Sequence, residues 1–246
     1  ILNSPTRGGG RDEMQLQMRI SKRVSMKEFA RRSIAKDSEA AKMLSSLEEA
    51  IRQMQIGKPV ILLDADHREG EGDFAIAAQF CTPERINFLL SKGRGLVCLS
   101  LPPAVAARIG VKPMVIDGES SSDTPPFGLP IDLDDGSSGI AASARCATIR
   151  ATCDESKSAR HFKRPGHVAT LLANPHGLRG RIGHTEAVLD LLRLAGIAGP
   201  GVLCEILNAD GEIATRDELF AIGKEHAIPV LHIDTLLDRQ KSQETA

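Results

Sequence analysis

One folded domain of interleaved helices and strands, preceded by a basic extension, is what this sequence predicts. Short apolar runs of strand length alternate with stretches of helical periodicity from residue 46 onward. Of the 246 residues, 41% are hydrophobic, enough for a substantial core. Residues 1 to 44 lack that alternation and carry Arg19, Lys22, Arg23, Lys27, Arg31, Arg32 and Lys36.

The extension opens on Ser4-Pro5-Thr6-Arg7-Gly8-Gly9-Gly10 and reads as a flexible tail with a nascent helix near Met26 to Leu44. An organelle transit peptide is the alternative, and Asp12, Glu13 and Glu28 weigh against it. The single folded domain is expected over residues 45 to 246. Ser46-Leu47-Glu48-Glu49 has capping-box spacing, and Leu47, Ala50, Ile51 and Met54 share a helical face that Gly57 and Pro59 terminate. A buried strand follows at Val60 to Leu63, then a charged loop, then an apolar segment around Phe74 to Phe80.

Thr82-Pro83 starts a helix in cap-then-proline order, ending near Gly93, and Leu96 to Leu101 is a strand. Gly110 to Gly139 is dense in turn formers and predicts a long connection holding at most short strands. Beyond it the pattern predicts a helix near Ile140 to Cys153, a strand near His167 to Leu172, and a helix from Glu186 to Ala195 closed by Gly196. A strand at Val202 to Leu207, a helix at Arg216 to His226, a strand at Val230 to Ile233 and a short helix at Thr235 to Arg239 complete the chain. No GxGxxG turn is present, so a dinucleotide site lacks its phosphate loop.

Composition excludes several functions. Seven Phe without Trp or Tyr leave little for stacking on bases, and a net charge of −1 gives no field for nucleic acid or anionic membrane. No apolar run approaches the roughly 20 residues that span a bilayer. Cys81, Cys98, Cys146, Cys153 and Cys204 are odd in number and form no CxxC pair, which predicts a reducing, cytoplasmic compartment.

Two constellations carry chemistry. Asp64-Ala65-Asp66-His67-Arg68-Glu69-Gly70-Glu71-Gly72-Asp73 packs five carboxylates behind a buried strand. Such crowding repels unless a hard cation or fixed Arg partners neutralise it; a solvated acidic turn is the plain alternative. Arg179-Gly180-Arg181-Ile182-Gly183-His184-Thr185-Glu186 precedes an amphipathic helix, where free N–H groups, glycines and Arg donors suit a phosphate. The plain alternative there is Thr185 as N-cap and His184 as a satisfied histidine. Arg164-Pro165-Gly166-His167 puts a second histidine at a strand entrance, and Glu205 is the one carboxylate in the apolar strand Gly201 to Leu207. A carboxylate in such a strand is either outward-facing or buried with a raised pKa. Cys98 reads by default as a small core residue.

Taken in order, Arg68-Glu69-Gly70-Glu71-Gly72-Asp73, Gly95-Leu96-Val97-Cys98, Arg164-Pro165-Gly166-His167, Arg181-Ile182-Gly183-His184-Thr185-Glu186-Ala187 and Gly201-Val202-Leu203-Cys204-Glu205 resemble the 3,4-dihydroxy-2-butanone-4-phosphate synthase family. The resemblance runs from about Ser46 to Leu237. It implies an α+β fold, a three-layer α/β/α domain with a mixed sheet, and a homodimer whose active sites lie at the subunit interface. It also implies conversion of ribulose 5-phosphate to 3,4-dihydroxy-2-butanone 4-phosphate and formate, with Mg²⁺ or Mn²⁺ and no organic cofactor. Carried over by position, Glu69 and His184 are metal ligands. Arg68, Asp73, Ser137, Ser138, Arg164, Arg181, Gly183 and Thr185 are substrate-binding, and His167, Glu205, Cys98, Asp64 and Glu71 are catalytic. The chain lacks the cysteine cluster of an added zinc-bound cyclohydrolase domain, so a monofunctional form is expected.

The sequence departs from the family pattern in one segment. Ser137-Ser138-Gly139-Ile140-Ala141-Ala142-Ser143-Ala144-Arg145 keeps two hydroxyls but has Ala141 and Ala144 where the family has Ser and Asp. Phe127-Gly128-Leu129-Pro130-Ile131 replaces a threonine-bearing strand, and His67 replaces an aspartate. A paralogue acting on another sugar phosphate, or a weak homologue kept for binding, are the alternatives these changes raise.

Overall fold

The computed structural model describes residues 46–64, 70–114 and 124–244. Seven strands form one mixed sheet: β1 (Val60–Leu63), β2 (Gly72–Ala77), β3 (Arg94–Leu101), β4 (Phe127–Leu133), β5 (Phe162–Leu172), β6 (Gly201–Ile206) and β7 (Val230–His232). Their order is β4-β5-β3-β6-β2-β1-β7, with β1/β7 and β3/β5 parallel and the other pairs antiparallel.

Every residue of β1 and β2 is buried, so both faces of the sheet's centre are covered, and the side-chain alternation along strands divides the core in two. One face sends Val60, Leu62, Ala75, Ala77 and Leu203 against α1 (Leu47–Gln55), α5 (His184–Leu194) and α7 (Ile233–Glu244). On the other, the Phe74 ring meets Phe88 of α2 (Pro83–Phe88), centroids 5.2 Å apart, and α2 packs on α4 (Ala142–Ala151). Two further α-helices among the described residues are α3 (Pro103–Ile109) and α6 (Arg216–Glu225).

Side-chain caps explain three of the described helix starts. Ser46 accepts from the Glu49 amide at 3.2 Å, but the box is only half made, because Glu49 turns its carboxylate to Arg52 and Gln53. Thr82 caps α2 with Pro83 in its first turn, and a π-helical turn, Leu89–Gly93, carries that helix to the expected glycine.

Three expectations are corrected. The Gly110 to Gly139 connection contains a seven-residue strand, β4, longer than turn content suggests. Pro130 sits in it without breaking the ladder because β4 is an edge strand and its register with β5 shifts between Gly128 and Ile131. Helix α5 begins two residues early: Gly183 is its N-cap, and Thr185, for which capping was the plain alternative, lies inside the first turn. The last helix spans 12 residues, its start following β7 directly. The extension, residues 1 to 44, falls outside the described residues.

Candidate active site

Antiparallel pairing of β2 with β6 sets Asp73 directly opposite Glu205, so the two carboxylates share one sheet face. Cys98 pairs with Leu203 across β3 and β6, two residues from Glu205 and therefore on that same face. Glu71 enters just ahead of β2. These groups line a cavity of about 260 Å³ together with Arg181, His184 and Thr185, and Pro125, Phe127 and Leu171 add an apolar wall.

Glu205 is fixed at close quarters. Its Oε2 accepts from the Leu96 amide at 2.8 Å, and a Cβ at residue 95 would stand 2.5 Å from the Glu205 carbonyl oxygen. Gly95 is thus required by close approach, which gives the Gly95-Leu96-Val97-Cys98 motif a physical meaning. Burial first, then the Glu205 and Asp73 charges, push the Cys98 thiol far above its ordinary range, so it lines the cavity as a neutral S–H. The same causes push Cys204 up to about 12.

Helix α5 brings in the second set. His184 is its first residue, with Nε2 3.2 Å from the Leu62 carbonyl oxygen and Nδ1 3.9 Å from Asp73 Oδ1. When Nε2 donates to that carbonyl, Nδ1 carries its lone pair toward the carboxylate side of the cavity, the arrangement a metal-ligating imidazole uses. Buried Ser100 donates to the Thr185 carbonyl at 2.7 Å and ties the helix start to β3. Arg181 pairs through Nη1 with Glu186 Oε2 at 3.0 Å.

Three carboxylates and an imidazole around one cavity are a donor set that suits a hard divalent cation. Among the described residues no three His, Cys, Asp or Glu side chains converge to hold a metal unaided. Glu69, expected to be the other protein ligand, and Arg68, expected on substrate, lie outside the described residues.

Not every expected residue lines the cavity. Asp64 is buried at the end of β1, its amide bonded to the Glu71 carbonyl at 2.9 Å. Gly183 stands as N-cap between Arg181 and His184. Ser137 and Ser138 are exposed, with the Ser137 amide closing a turn on Asp135 Oδ1 at 2.9 Å. Arg164, expected on substrate, instead spends its guanidinium on the carbonyls of Ala159, Phe162 and Ile109, tying the β5 entrance to the end of α3.

His167 also stands outside its own chain's cavity. The ladder pairs Ile131 with Val168 and Asp132 with Lys163, so residues 164–167 bulge out opposite a single step of β4. Gly166 lies there because a Cβ would come 2.1 Å from the Ile131 carbonyl carbon. Asp132 accepts the His167 amide at 2.9 Å on Oδ1 and faces its Nδ1 at 2.6 Å with Oδ2, leaving Nε2 directed outward. Asp132, Ser100 and Glu186 are therefore site residues that sequence reasoning missed. Asp132 and Ser100 offered only an apolar strand interrupted by a polar residue, the signal Glu205 also shows, whereas Glu186 stood inside the motif at the start of α5.

Comparison with known proteins places the chain in a family. The model of the family described as 3,4-dihydroxy-2-butanone 4-phosphate synthase matches residues 48–239. A 3,4-dihydroxy-2-butanone 4-phosphate synthase of Wolinella succinogenes is 39% identical over 201 residues, covering 82% of this chain and 58% of the relative. A riboflavin biosynthesis protein RibBA of Bacillus cytotoxicus is 39% identical over 203 residues, covering 82% and 51%. The chain thus spans between half and three-fifths of the length of these curated relatives. A solved 3,4-dihydroxy-2-butanone 4-phosphate synthase in complex with two magnesium ions superposes with a TM-score of 0.77 at 28% identity, covering 82% of this chain and 99% of that one.

Proposed function

Because the chain belongs to the 3,4-dihydroxy-2-butanone 4-phosphate synthase family, we propose that it converts ribulose 5-phosphate to 3,4-dihydroxy-2-butanone 4-phosphate and formate in riboflavin biosynthesis. The observation that carries this reading is the convergence of Glu71, Asp73, Cys98, Arg181, His184, Thr185 and Glu205 on one cavity from segments spread over more than half the chain.

The reaction removes protons beside a carbonyl, moves a carbon and releases formate, so negative charge develops on neighbouring oxygens and several proton transfers need separate groups. Glu69 and His184 would hold Mg²⁺, with Mn²⁺ as a substitute, and the cation's chemistry is to neutralise those oxyanions. Support comes from the donor set of the cavity and from the relative solved with two magnesium ions.

Arg181, Gly183 and Thr185 take the phosphate at the start of α5, where the helix dipole favours an anion. Arg68 and Asp73 orient the sugar hydroxyls. Glu205, held by the Leu96 amide, is a proton carrier whose position is set by the sheet. The neutral Cys98 thiol packs beside it and contributes shape and a weak donor. His167 completes the site from a second copy of the chain in a homodimer, a reading supported by its outward Nε2 and by the exposed apolar side chains of Leu96, Met114 and Ile140. Five free cysteines suit a reducing cytoplasm.

The test is formate release from ribulose 5-phosphate with Mg²⁺, against a chelated control. Stoichiometric formate, lost on chelation, is expected; a trace no higher than the control would sink the assignment.

A further inference from the structure

We propose that Glu186 is the positioning residue of the phosphate grip: its carboxylate holds Arg181 by Nη1 so that the guanidinium presents its Nε–Nη2 edge to the anion. This rests on the function proposed above, which places the substrate phosphate at Arg181.

Glu186 is wholly buried, at 0% exposure, in the first turn of α5. Its two oxygens are divided between two tasks. Oε1 accepts the Asn174 amide at 3.0 Å, which anchors the chain leaving β5, and Oε2 accepts Arg181 Nη1 at 3.0 Å. Arg181 itself lines the cavity, and its Nε is buried without a hydrogen-bond partner among the described residues. Nη1 is the guanidinium nitrogen on the Cδ side, so a carboxylate on it leaves the opposite edge, Nε with Nη2, for a two-point contact. That edge matches two oxygens of a phosphate.

A buried ion pair of this kind adds little net stability over a well-packed apolar pair. Its worth lies in geometry: a long, rotamer-rich side chain is ordered before substrate arrives, so binding does not have to order it. The carboxylate also offsets part of the arginine's charge. Contact through Nη1 alone limits that loss, because the phosphate-facing edge points away from it.

The test compares ribulose 5-phosphate kinetics of the wild type, Glu186→Gln, Arg181→Gln and the double variant. Removing an interaction made equally in ground and transition states raises KM and spares kcat, so Glu186→Gln should raise KM about tenfold or more while kcat stays within about threefold. In the Arg181→Gln background the same change should add nothing to KM, because Glu186 acts through Arg181. Arg181→Lys keeps the charge without the edge and should raise KM as far as Arg181→Gln does. An unchanged KM in Glu186→Gln, effects that multiply in the double variant, or a wild-type KM in Arg181→Lys would each overturn the inference. Calorimetric titration with ribulose 5-phosphate under chelation reads the same comparison without turnover. A wild type that binds but releases no formate would therefore count against the assigned reaction alone.

Discussion

Gly95 and Glu205 show how much of the site depends on one missing methyl group. Glu205 reaches its place because β3 passes it with no side chain at residue 95, and the register irregularity between Arg94 and Val97 aims the Leu96 amide at the carboxylate. In Gly95→Ala the new Cβ would lie 2.5 Å from the Glu205 carbonyl oxygen and 2.7 Å from its Oε2. The first of these is backbone in the middle of a sheet and cannot step aside cheaply, so β3 and β6 must separate locally. The expected cost is about 1–3 kcal/mol of stability, and a carboxylate displaced by even an ångström should lower kcat about 100-fold. Chemical denaturation and formate release measure the two effects. A variant with lowered stability and unchanged kcat would show that Glu205 tolerates displacement and is not the proton carrier.

Helix α6 offers a test at the level of one element. Thr215 and Glu218 form a full capping box: the Glu218 carboxylate accepts the Thr215 amide at 2.7 Å and its hydroxyl at 2.9 Å. Those bonds, the amide first, hold the Glu218 carboxyl below its ordinary value of 4.5. A carboxyl with a folded pKa below the unfolded one contributes stability that is present above pH 4.5 and lost as pH falls through the folded value. The melting temperature of the wild type should exceed that of Glu218→Gln near neutrality, and the gap should close on acidification below pH 4.5. A gap that widens toward acid would contradict the cap. Helix starts of this kind were legible because their signals are local: Ser46 and Thr82-Pro83 each announce a helix within four residues. The fully apolar runs at β1 and β6 were legible for the same reason. Strand β4 was not, since its identity comes from pairing with β5, some 35 residues further along, and its own sequence contains Pro130. Asp132 was lost with it. The contacts of Arg164 were not legible, because only the fold reveals the three carbonyls that its guanidinium reaches. The cavity's own residues fared better: Glu71, Asp73, Cys98, Arg181, His184, Thr185 and Glu205 are all named by ordered motifs and all line it.

At the scale of the whole molecule, the separation of His167 from that cavity makes a prediction about assembly. Asp132 grips the histidine by its amide and Nδ1 and leaves the ring on a half-exposed surface, apart from the cavity lining. In a two-fold homodimer each site would draw Glu205 from one copy and His167 from the other. His167→Ala and Glu205→Gln homodimers should then each be inactive, because both of their sites carry the lesion. A heterodimer of the two variants would hold one site with both lesions and one with neither. Random exchange makes half the dimers mixed, with one intact site of two, so the mixture should regain about a quarter of wild-type formate release. The measurement is formate release after co-expression or subunit exchange, with mass determination confirming the dimer. A mixture as inactive as its parents, in a protein shown to exchange, would mean that each chain supplies its own His167, and the outward orientation of the Asp132-held ring would then have to reverse on substrate binding.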